Sequence, residues 1–183
     1  WIRPWLEKLG ARFAFRRVEY GVRLEASADH PLFRQLPGTD GKLTFRDPIE
    51  ALEMRTFCTC RNGEVVLGRS SGIAAYSGRA DGPRTGRSNV GLVVRTTDEV
   101  LGRDVERALR SASPSTFELR EWRDRGPQFL APTFGDAGAD TMWRALGRLL
   151  EWCPQLVGVS GDAAVRVHAP CIEGVGDYPI DDG

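Results

Sequence analysis

The sequence has few lysines, few cysteines and no long apolar run. Lys8 and Lys42 are the only lysines among 25 basic residues, and 25 acidic residues balance the total. A chain without net charge has no overall field that would concentrate it on nucleic acid or on an anionic membrane. No apolar run approaches the roughly 20 residues that cross a bilayer, and the opening residues lack the apolar stretch of a secretory leader. We therefore expect neither nucleic acid nor membrane as a partner.

The four cysteines are too few for a disulfide scaffold in a chain of 183 residues. Hydrophobic residues make up 41% of the chain and charged residues 27%, which is typical of a globular core and too apolar for disorder. We therefore expect a single cytoplasmic domain over residues 1–183. Because the chain begins with Trp1 rather than methionine, we expect it to be a segment of a longer protein.

Hydrophobic periodicity predicts strands first and helices later. After a helix over residues 1–9, period-two alternation predicts strands in "RFAFR", "VEYGVRLE" and "KLTF", and "VGLVVRT", "TFELREW" and "AAVRVHAP" are further strand candidates. Two longer helices are predicted, from Asp98 to Ala112 and from Asp140 to Trp152. The order predicts an α+β fold with a mainly antiparallel sheet, a central β-hairpin and two to three helices packed on it. The first of these helices is predicted to turn Val100, Leu101, Val105, Ala108 and Leu109 inward.

The middle of the chain contains the strongest turn signal. Asn62 and Gly63 separate "EMRTFCTC" from "EVVLG", and an Asn-Gly pair between two strand-like runs predicts a hairpin over residues 53–68. The following stretch, residues 70–89, is rich in glycine and has little apolar periodicity. We expect it to be a long loop, and such a loop inside a compact domain is usually functional or mobile.

Cys58 and Cys60 lie two residues apart on a predicted strand, so both thiols are expected on one side of it. They suit a redox pair, half of a metal site, thiols lining a pocket, or two buried cysteines acting as small hydrophobic residues. A Cys-x-Cys disulfide is sterically poor on a regular strand, because the side chains project in parallel. The spacing to the other cysteines and histidines matches no zinc pattern, so we predict no metal site.

The glycine-rich loop contains neither of the usual phosphate-binding patterns. Arg79, Arg84 and Arg87 still suit an anion-binding loop, because guanidinium groups bind phosphate and carboxylate in a fork geometry. A solvated surface loop is the other interpretation.

The remaining polar residues suggest no catalytic constellation. His30 precedes a proline and is expected in a turn, whereas His168 lies on a predicted strand. No Gly-x-Ser-x-Gly elbow is present, and a catalytic triad has no support. Asp177, Asp181 and Asp182 are better explained by a solvated turn than by an acid–base pair.

Several phrases of the sequence resemble one family. "WLEKLG…FRRVEYGVRLE", "MRTFCTCRNGEVVLGRSSGIAAYSGR" and "SNVGLVVR" are similar to bacterial FAD-dependent dehydrogenases of the NAD(FAD)-utilizing type, and "IEGVGDYPIDDG" resembles the segment just before their last FAD-contacting stretch. The similarity covers most of residues 1–95 and the tail, and it is weak across residues 96–165. The Gly-x-Gly-x-x-Gly fingerprint that seats the FAD pyrophosphate is absent from these residues.

The resemblance implies a domain inserted between the two halves of an FAD-binding domain, with residues 1–10 and 172–183 as connectors. Such a domain lies over the flavin and supplies much of the pocket for a small-molecule substrate. Its partner is the FAD-binding domain of the same chain, and the isolated domain is expected to hold no FAD and to be inactive. Hydride would pass between substrate and flavin.

The resemblance also ranks the candidate residues. Cys58 and Cys60 come first, as catalytic or pocket-lining residues. A rigid hairpin is expected to present them at the cofactor face, with an exposed apolar patch near Phe57. The expected substrate-binding residues are Arg55, Thr56, Phe57, Asn62, Gly63, Ser88 and Asn89.

Two other functions remain open. One is a stand-alone module that binds a small ligand or a protein through the arginine- and glycine-rich loop. The other is a thiol redox protein that uses Cys58 and Cys60. An inserted domain requires its two chain ends to lie side by side on one face, whereas ends at opposite poles would exclude it.

Overall fold

A computed structural model of the chain describes residues 2–38, 40–48, 52–157 and 164–180. The described residues form ten strands and six α-helices. The strands are β1 (Arg12–Phe15), β2 (Val18–Ser27), β3 (Thr44–Asp47), β4 (Leu52–Cys60), β5 (Glu64–Ser70), β6 (Ile73–Arg79), β7 (Arg87–Thr96), β8 (Ser115–Glu118), β9 (Arg166–Gly174) and β10 (Asp177–Ile180). The helices are α1 (Ile2–Lys8), α2 (Pro31–Gln35), α3 (Glu99–Ser111), α4 (Leu119–Arg125), α5 (Ala131–Phe134) and α6 (Asp136–Trp152).

The strands form one large antiparallel sheet and two small ones. The large sheet has the order β3-β4-β7-β2-β9-β8, and β2 pairs with β7 along its full length from Val18 to Ser27. The pairs β1–β10 and β5–β6 form separate two-stranded sheets. The predicted α+β class with an antiparallel sheet is confirmed. No helix in the described parts of the chain is long and apolar enough to span a membrane.

One face of the large sheet carries the apolar core. Val18, Tyr20, Val22 and Leu24 alternate along β2 and are fully buried, as their period-two pattern predicts. Helices α3, α5 and α6 cover this face, and the rings of Tyr20 and Phe134 lie 5.3 Å apart.

The two long helices form close to where the sequence predicts them. Asp98 caps α3, with its Oδ1 accepting a hydrogen bond from the Leu101 backbone N–H at 3.0 Å. The inward orientation predicted for Val100 is wrong, because this residue lies in the first turn on the solvent side and is 75% exposed. Helix α6 begins at Asp136 rather than Asp140, because Gly135, at φ 73°, ends α5 and starts the next helix directly.

The predicted hairpin over residues 53–68 is wrong. Strand β4 pairs with β3 and β7, so neither of its edges is open to β5. Asn62, at φ 52°, instead turns the chain out of the large sheet, and β5 pairs with β6. Ser71 and Gly72 form the two-residue turn between β5 and β6, with φ values of 52° and 81°. Turns with positive φ at both central residues are favoured in hairpins, because their backbone twist matches that of the flanking strands. The loop predicted over 70–89 is accordingly shorter, because residues 73–79 form β6.

The strand predicted in "TFELREW" is only partly correct. The chain is extended over β8 and then turns into α4 at Leu119. The side chain of Glu121 accepts a hydrogen bond from the Glu118 backbone N–H at 3.4 Å, which is half of a capping box and favours a helix start here.

Candidate functional site

The face of the large sheet opposite the helices carries polar side chains. Odd-numbered residues of β2 point to this face, and the register places Arg23 beside Gly91 of β7 and His168 of β9. The β5–β6 hairpin lies over one end of it, where the ring of Tyr76 is 5.2 Å from that of His168. We call this surface the polar face. It consists of Glu19, Arg23, Glu25, Arg55, Phe57, Cys60, Asn89, Gly91, Arg95, Thr116, His168 and Cys171, together with Glu173, which contacts Arg55.

A buried arginine lies at the centre of the polar face. Arg23 has no exposed surface, and its Nε donates to Asn89 Oδ1 at 2.6 Å. Its Nη2 donates to the Cys58 carbonyl at 2.5 Å and to Cys60 Sγ at 3.4 Å. Among the described residues, Nη1 has no hydrogen-bond partner and no carboxylate lies within ion-pairing distance of the guanidinium. A buried cation without a carboxylate is costly unless another group supplies negative charge.

The two neighbouring cysteines lie on a β-bulge. The register passes from Phe57–Gly91 to Cys60–Asn89, so two residues of β4 face one residue of β7. Cys58 adopts φ 48°, a left-handed conformation that is unusual for a residue other than glycine. It is exposed, whereas Cys60 is 2% exposed, and their Sγ atoms lie 3.9 Å apart. The regular strand assumed from the sequence is therefore wrong at this point, and the thiols are in contact.

Burial and the charge of Arg23 act in opposite directions on two of the thiols. Burial raises the pKa of the Cys60 thiol, and the positive charge of Arg23 opposes this effect. Burial also raises the pKa of Cys171 to about 11, again against the charge of Arg23. Arg23 thus acts on two buried thiols, Cys60 and Cys171, whereas exposed Cys58 offers it only its backbone carbonyl.

Gly78 of β6 covers the guanidinium. A Cβ at this position would lie 1.8 Å from Arg23 Nη2 and 2.5 Å from Cys60 Sγ. Such distances are far below van der Waals contact, so only glycine allows β6 to pack against this site.

A second polar cluster surrounds His168 of β9, which is the register partner of Arg23. His168 Nε2 lies 3.2 Å from Glu25 Oε2, and its Nδ1 lies 3.0 Å from Thr116 Oγ1. The hydrogen bond to His168 lowers the pKa of Glu25, and the charges of Arg87 and Arg166 act in the same direction. Both ring nitrogens of the imidazole are therefore engaged within the sheet.

A third cluster surrounds Glu19, which is 2% exposed. Its carboxylate binds Arg95 at 2.6 Å, Arg55 at 3.2 Å and Arg17 at 3.2 Å. Arg55 also contacts Glu173. This network joins β2, β4, β7 and β9 at the end of the polar face that Glu19 occupies.

The predicted substrate-binding residues divide into two groups. Arg55, Phe57 and Asn89 lie on the polar face, and Asn89 binds Arg23 directly. Phe57 is half-buried, and its ring occupies the space above Gly91 where a Cβ would lie. The exposed apolar patch expected there is therefore wrong.

The other predicted substrate-binding residues contribute hydrogen bonds and packing within the fold. Thr56 is fully buried on the helix side, and its Oγ1 accepts a hydrogen bond from the Leu43 backbone N–H at 2.8 Å. Asn62 donates its backbone N–H to Ser88 Oγ at 3.1 Å, which holds the bend after β4. Gly63 packs so closely that a Cβ would lie 2.4 Å from the Arg79 carbonyl oxygen.

The three arginines proposed for an anion-binding loop are in different environments. Arg79 binds Glu64 and lies 3.8 Å from Asp81, and Arg87 lies 3.3 Å from Glu25. Arg84 is exposed. Two of the three guanidinium groups thus already have carboxylate partners.

Two further predictions concern histidine and aspartate. His30 caps α2, with its Nδ1 accepting from the Leu32 backbone N–H at 3.1 Å. Asp177 lies in β10 and binds Arg3 at 2.7 Å and Arg103 at 2.5 Å, so the solvated turn expected for it is wrong. Residues 181 and 182 lie outside the described residues.

Sequence reasoning missed Arg23 and Cys171 as members of the site. Arg23 occupies an odd position in "VEYGVRLE", where alternation predicts solvent exposure. No local signal marks Arg23, because its partners come from other strands and depend on the register of β2 with β7 and of β4 with β7. In the described parts of the chain, no three His, Cys, Asp or Glu side chains converge as a metal site requires.

Comparison with known proteins gives no family assignment. The sequence matches no protein-family model, and no curated protein is similar to it at a significant level.

Proposed function

We propose that the chain is the substrate-side domain of an FAD-dependent oxidoreductase, inserted between two halves of an FAD-binding domain of the same protein. In this proposal the domain shapes the pocket for a small-molecule substrate over the flavin. FAD, held by the other domain, supplies the hydride acceptor or donor. The proposal extends the family resemblance of the sequence with three features of the structure.

The observation that carries the proposal is the position of the two chain ends. Strand β1 pairs with β10 in antiparallel register, from Arg12–Ile180 to Phe15–Asp177. Arg3 of α1 also binds Asp177 of β10 at 2.7 Å. The chain therefore enters and leaves this domain through two adjacent strands, which is the arrangement that insertion into another domain requires.

A second feature is an apolar surface next to these strands. Ile2, Trp5 and Leu9 of the first helical segment are 51%, 59% and 65% exposed. Large exposed apolar side chains in one short segment, Ile2 and Trp5 on α1 and Leu9 directly after it, are typical of a contact surface. We assign this surface to the FAD-binding domain, because it lies where the chain would cross into it.

The third feature is the exposed Cys58 beside the half-buried ring of Phe57. Phe57 belongs to the polar face and Cys58 follows it on β4, while the ion pairs of Glu19 with Arg55 and Arg95 join β2 to β4 and β7. A surface held by ion pairs, with one exposed thiol, suits the substrate side of a cofactor pocket. In this arrangement Cys58 and Phe57 contact the substrate, and Arg55 orients Phe57 from 5.9 Å above its ring.

The test uses the product of the complete reading frame in which the coding sequence of residues 1–183 lies. We expect this product to hold FAD, and we expect Cys58→Ser and Phe57→Ala to change substrate turnover while FAD content stays constant. Cys153→Ser is the matched control, because Cys153 is fully buried in the helical core, away from the polar face. If the two polar-face variants turn over substrate as the control does, the assignment of the pocket is wrong.

A further inference from the structure

We propose that Cys58 and Cys60 are a dithiol–disulfide couple, in which exposed Cys58 meets the oxidant and buried Arg23 stabilises the Cys60 thiolate that closes the disulfide. The oxidant is a small-molecule disulfide. The couple requires no flavin domain, so its test and the test of the proposed function can fail separately.

The bulge removes the steric objection to a disulfide at Cys-x-Cys spacing. On a regular strand the two side chains project in parallel and the sulfurs remain apart. Here Cys58 is left-handed, and the two Sγ atoms are already in contact at 3.9 Å. Backbone conformations of this kind persist where the surrounding structure enforces them, and they are common at functional sites. In this site the Cys58 carbonyl is held by Arg23 Nη2.

Exposure assigns the first step to Cys58. Its thiolate attacks one sulfur of the small disulfide, a Cys58–S–S–R bond forms, and one thiolate leaves with the proton that Cys58 gave up. Cys60 is almost completely buried and cannot meet a dissolved oxidant directly.

The second step is intramolecular and needs a Cys60 thiolate. This thiolate attacks Cys58 Sγ, the Cys58–Cys60 bond forms, and the second small thiol leaves with the proton from Cys60. The net change reduces one small disulfide to two thiols and oxidises the cysteine pair by two electrons. Because burial opposes ionisation of Cys60, this step depends on a nearby positive charge.

Arg23 supplies that charge. Its Nη2 lies 3.4 Å from Cys60 Sγ, and no carboxylate of the described residues competes for the guanidinium. The charge of Arg23 also opposes the effect of burial on the pKa of Cys171. Arg23 is a positioning residue in this scheme, because it acts through Cys60 and does not contact the oxidant.

The experiment equilibrates the 183-residue protein with mixtures of reduced and oxidised glutathione, stops exchange with acid, alkylates the free thiols after unfolding the protein in denaturant and maps the cysteines by mass spectrometry. We expect two cysteines, Cys58 and Cys60, to be lost to alkylation together, while Cys153 and Cys171 stay free. Full alkylation of all four cysteines in the most oxidising mixture, or a disulfide that includes Cys171, would overturn the proposal.

Single variants separate the two steps. Cys60→Ser should stop at a mixed disulfide of glutathione with Cys58, and Cys58→Ser should leave Cys60 free. Cys153→Ser should form the disulfide as the unmodified protein does. If Cys58→Ser still becomes glutathionylated at Cys60, the assignment of the first step is wrong.

The role of Arg23 is tested by the pH dependence of the second step. We expect Arg23→Gln to move the midpoint of the rate profile upward by about one pH unit, which is about a tenfold slower closure at neutral pH. Arg23→Lys, which keeps the charge, should restore most of the rate. Identical pH profiles for Arg23→Gln and the unmodified protein would remove Arg23 from the scheme, and the cysteine variants test the couple even if an Arg23 variant does not fold.

Discussion

Replacing Gly78 with alanine perturbs the buried guanidinium without changing any charged or sulfur-containing residue. The added Cβ would lie 1.8 Å from Arg23 Nη2, 2.5 Å from its Cζ and 2.5 Å from Cys60 Sγ. The guanidinium tip would have to move. It has no exposed surface, so it cannot move into water.

The size of the effect follows from the contacts that this movement breaks. Arg23 would lose one or more of its hydrogen bonds to Asn89, the Cys58 carbonyl and Cys60. A hydrogen bond to a charged group contributes about 1.5–3 kcal/mol, and an overpacked core costs about 1–3 kcal/mol. These effects overlap, so we expect Gly78→Ala to lower the free energy of unfolding by about 3 kcal/mol. In a chain of this length that corresponds to a loss of about 6–12 °C in Tm.

The assay is urea unfolding followed by circular dichroism, with Gly68→Ala as the matched control. Gly68 lies in the same hairpin, on β5, and a Cβ there meets no atom within 4 Å. We expect Gly68→Ala to change stability by no more than about 1 kcal/mol, because alanine also restricts the unfolded chain. If Gly78→Ala is no more destabilising than Gly68→Ala, the packing of β6 against Arg23 described above is wrong.

Three further substitutions test other parts of the fold. Asp177→Asn should cost about 1 kcal/mol near neutral pH, where the ion pair with Arg3 is intact. That hydrogen bond lowers the pKa of Asp177, so its contribution is present above the unfolded-state pKa and is lost as the pH falls through the folded-state pKa. Urea titrations at neutral and acidic pH should therefore show a penalty only at neutral pH, and an equal penalty at both would contradict the pairing. Phe134→Ala should cost about 3–5 kcal/mol in the same assay, because the ring is fully buried against the sheet. Thr56→Val should cost about 1–3 kcal/mol and speed hydrogen exchange at the Leu43 N–H, which loses its buried acceptor; unchanged exchange would refute that role.

The sequence predicts the elements whose signals are local. Asp98 caps its helix because the required acceptor and donor lie three residues apart. The alternation along β2 predicts its apolar face because one side of the sheet packs against helices, but it misses the burial of the polar side. The Asn62-Gly63 turn fails as a hairpin signal because the partner of β4 is chosen by long-range pairing with β3 and β7. The hairpin turn is instead Ser71-Gly72, between β5 and β6, and Ser-Gly is a weaker hairpin signal than Asn-Gly.

The candidate site is only partly visible in the sequence for the same reason. Cys58 and Cys60 are close in sequence and can be singled out by spacing. Arg23 reaches them from 35 and 37 residues away, through the register of a sheet that the sequence does not specify. The bulge at Cys58 has no local signal either, because the left-handed conformation usually belongs to glycine.

We propose that this domain covers the flavin of its own protein. The most direct measurement is the visible absorbance of the product of the complete reading frame, purified without added cofactor and then treated with a reductant. The account predicts a yellow protein that contains about one FAD per chain and is bleached on reduction, whereas residues 1–183 alone remain colourless. A colourless complete product that also fails to bind added FAD would contradict the account.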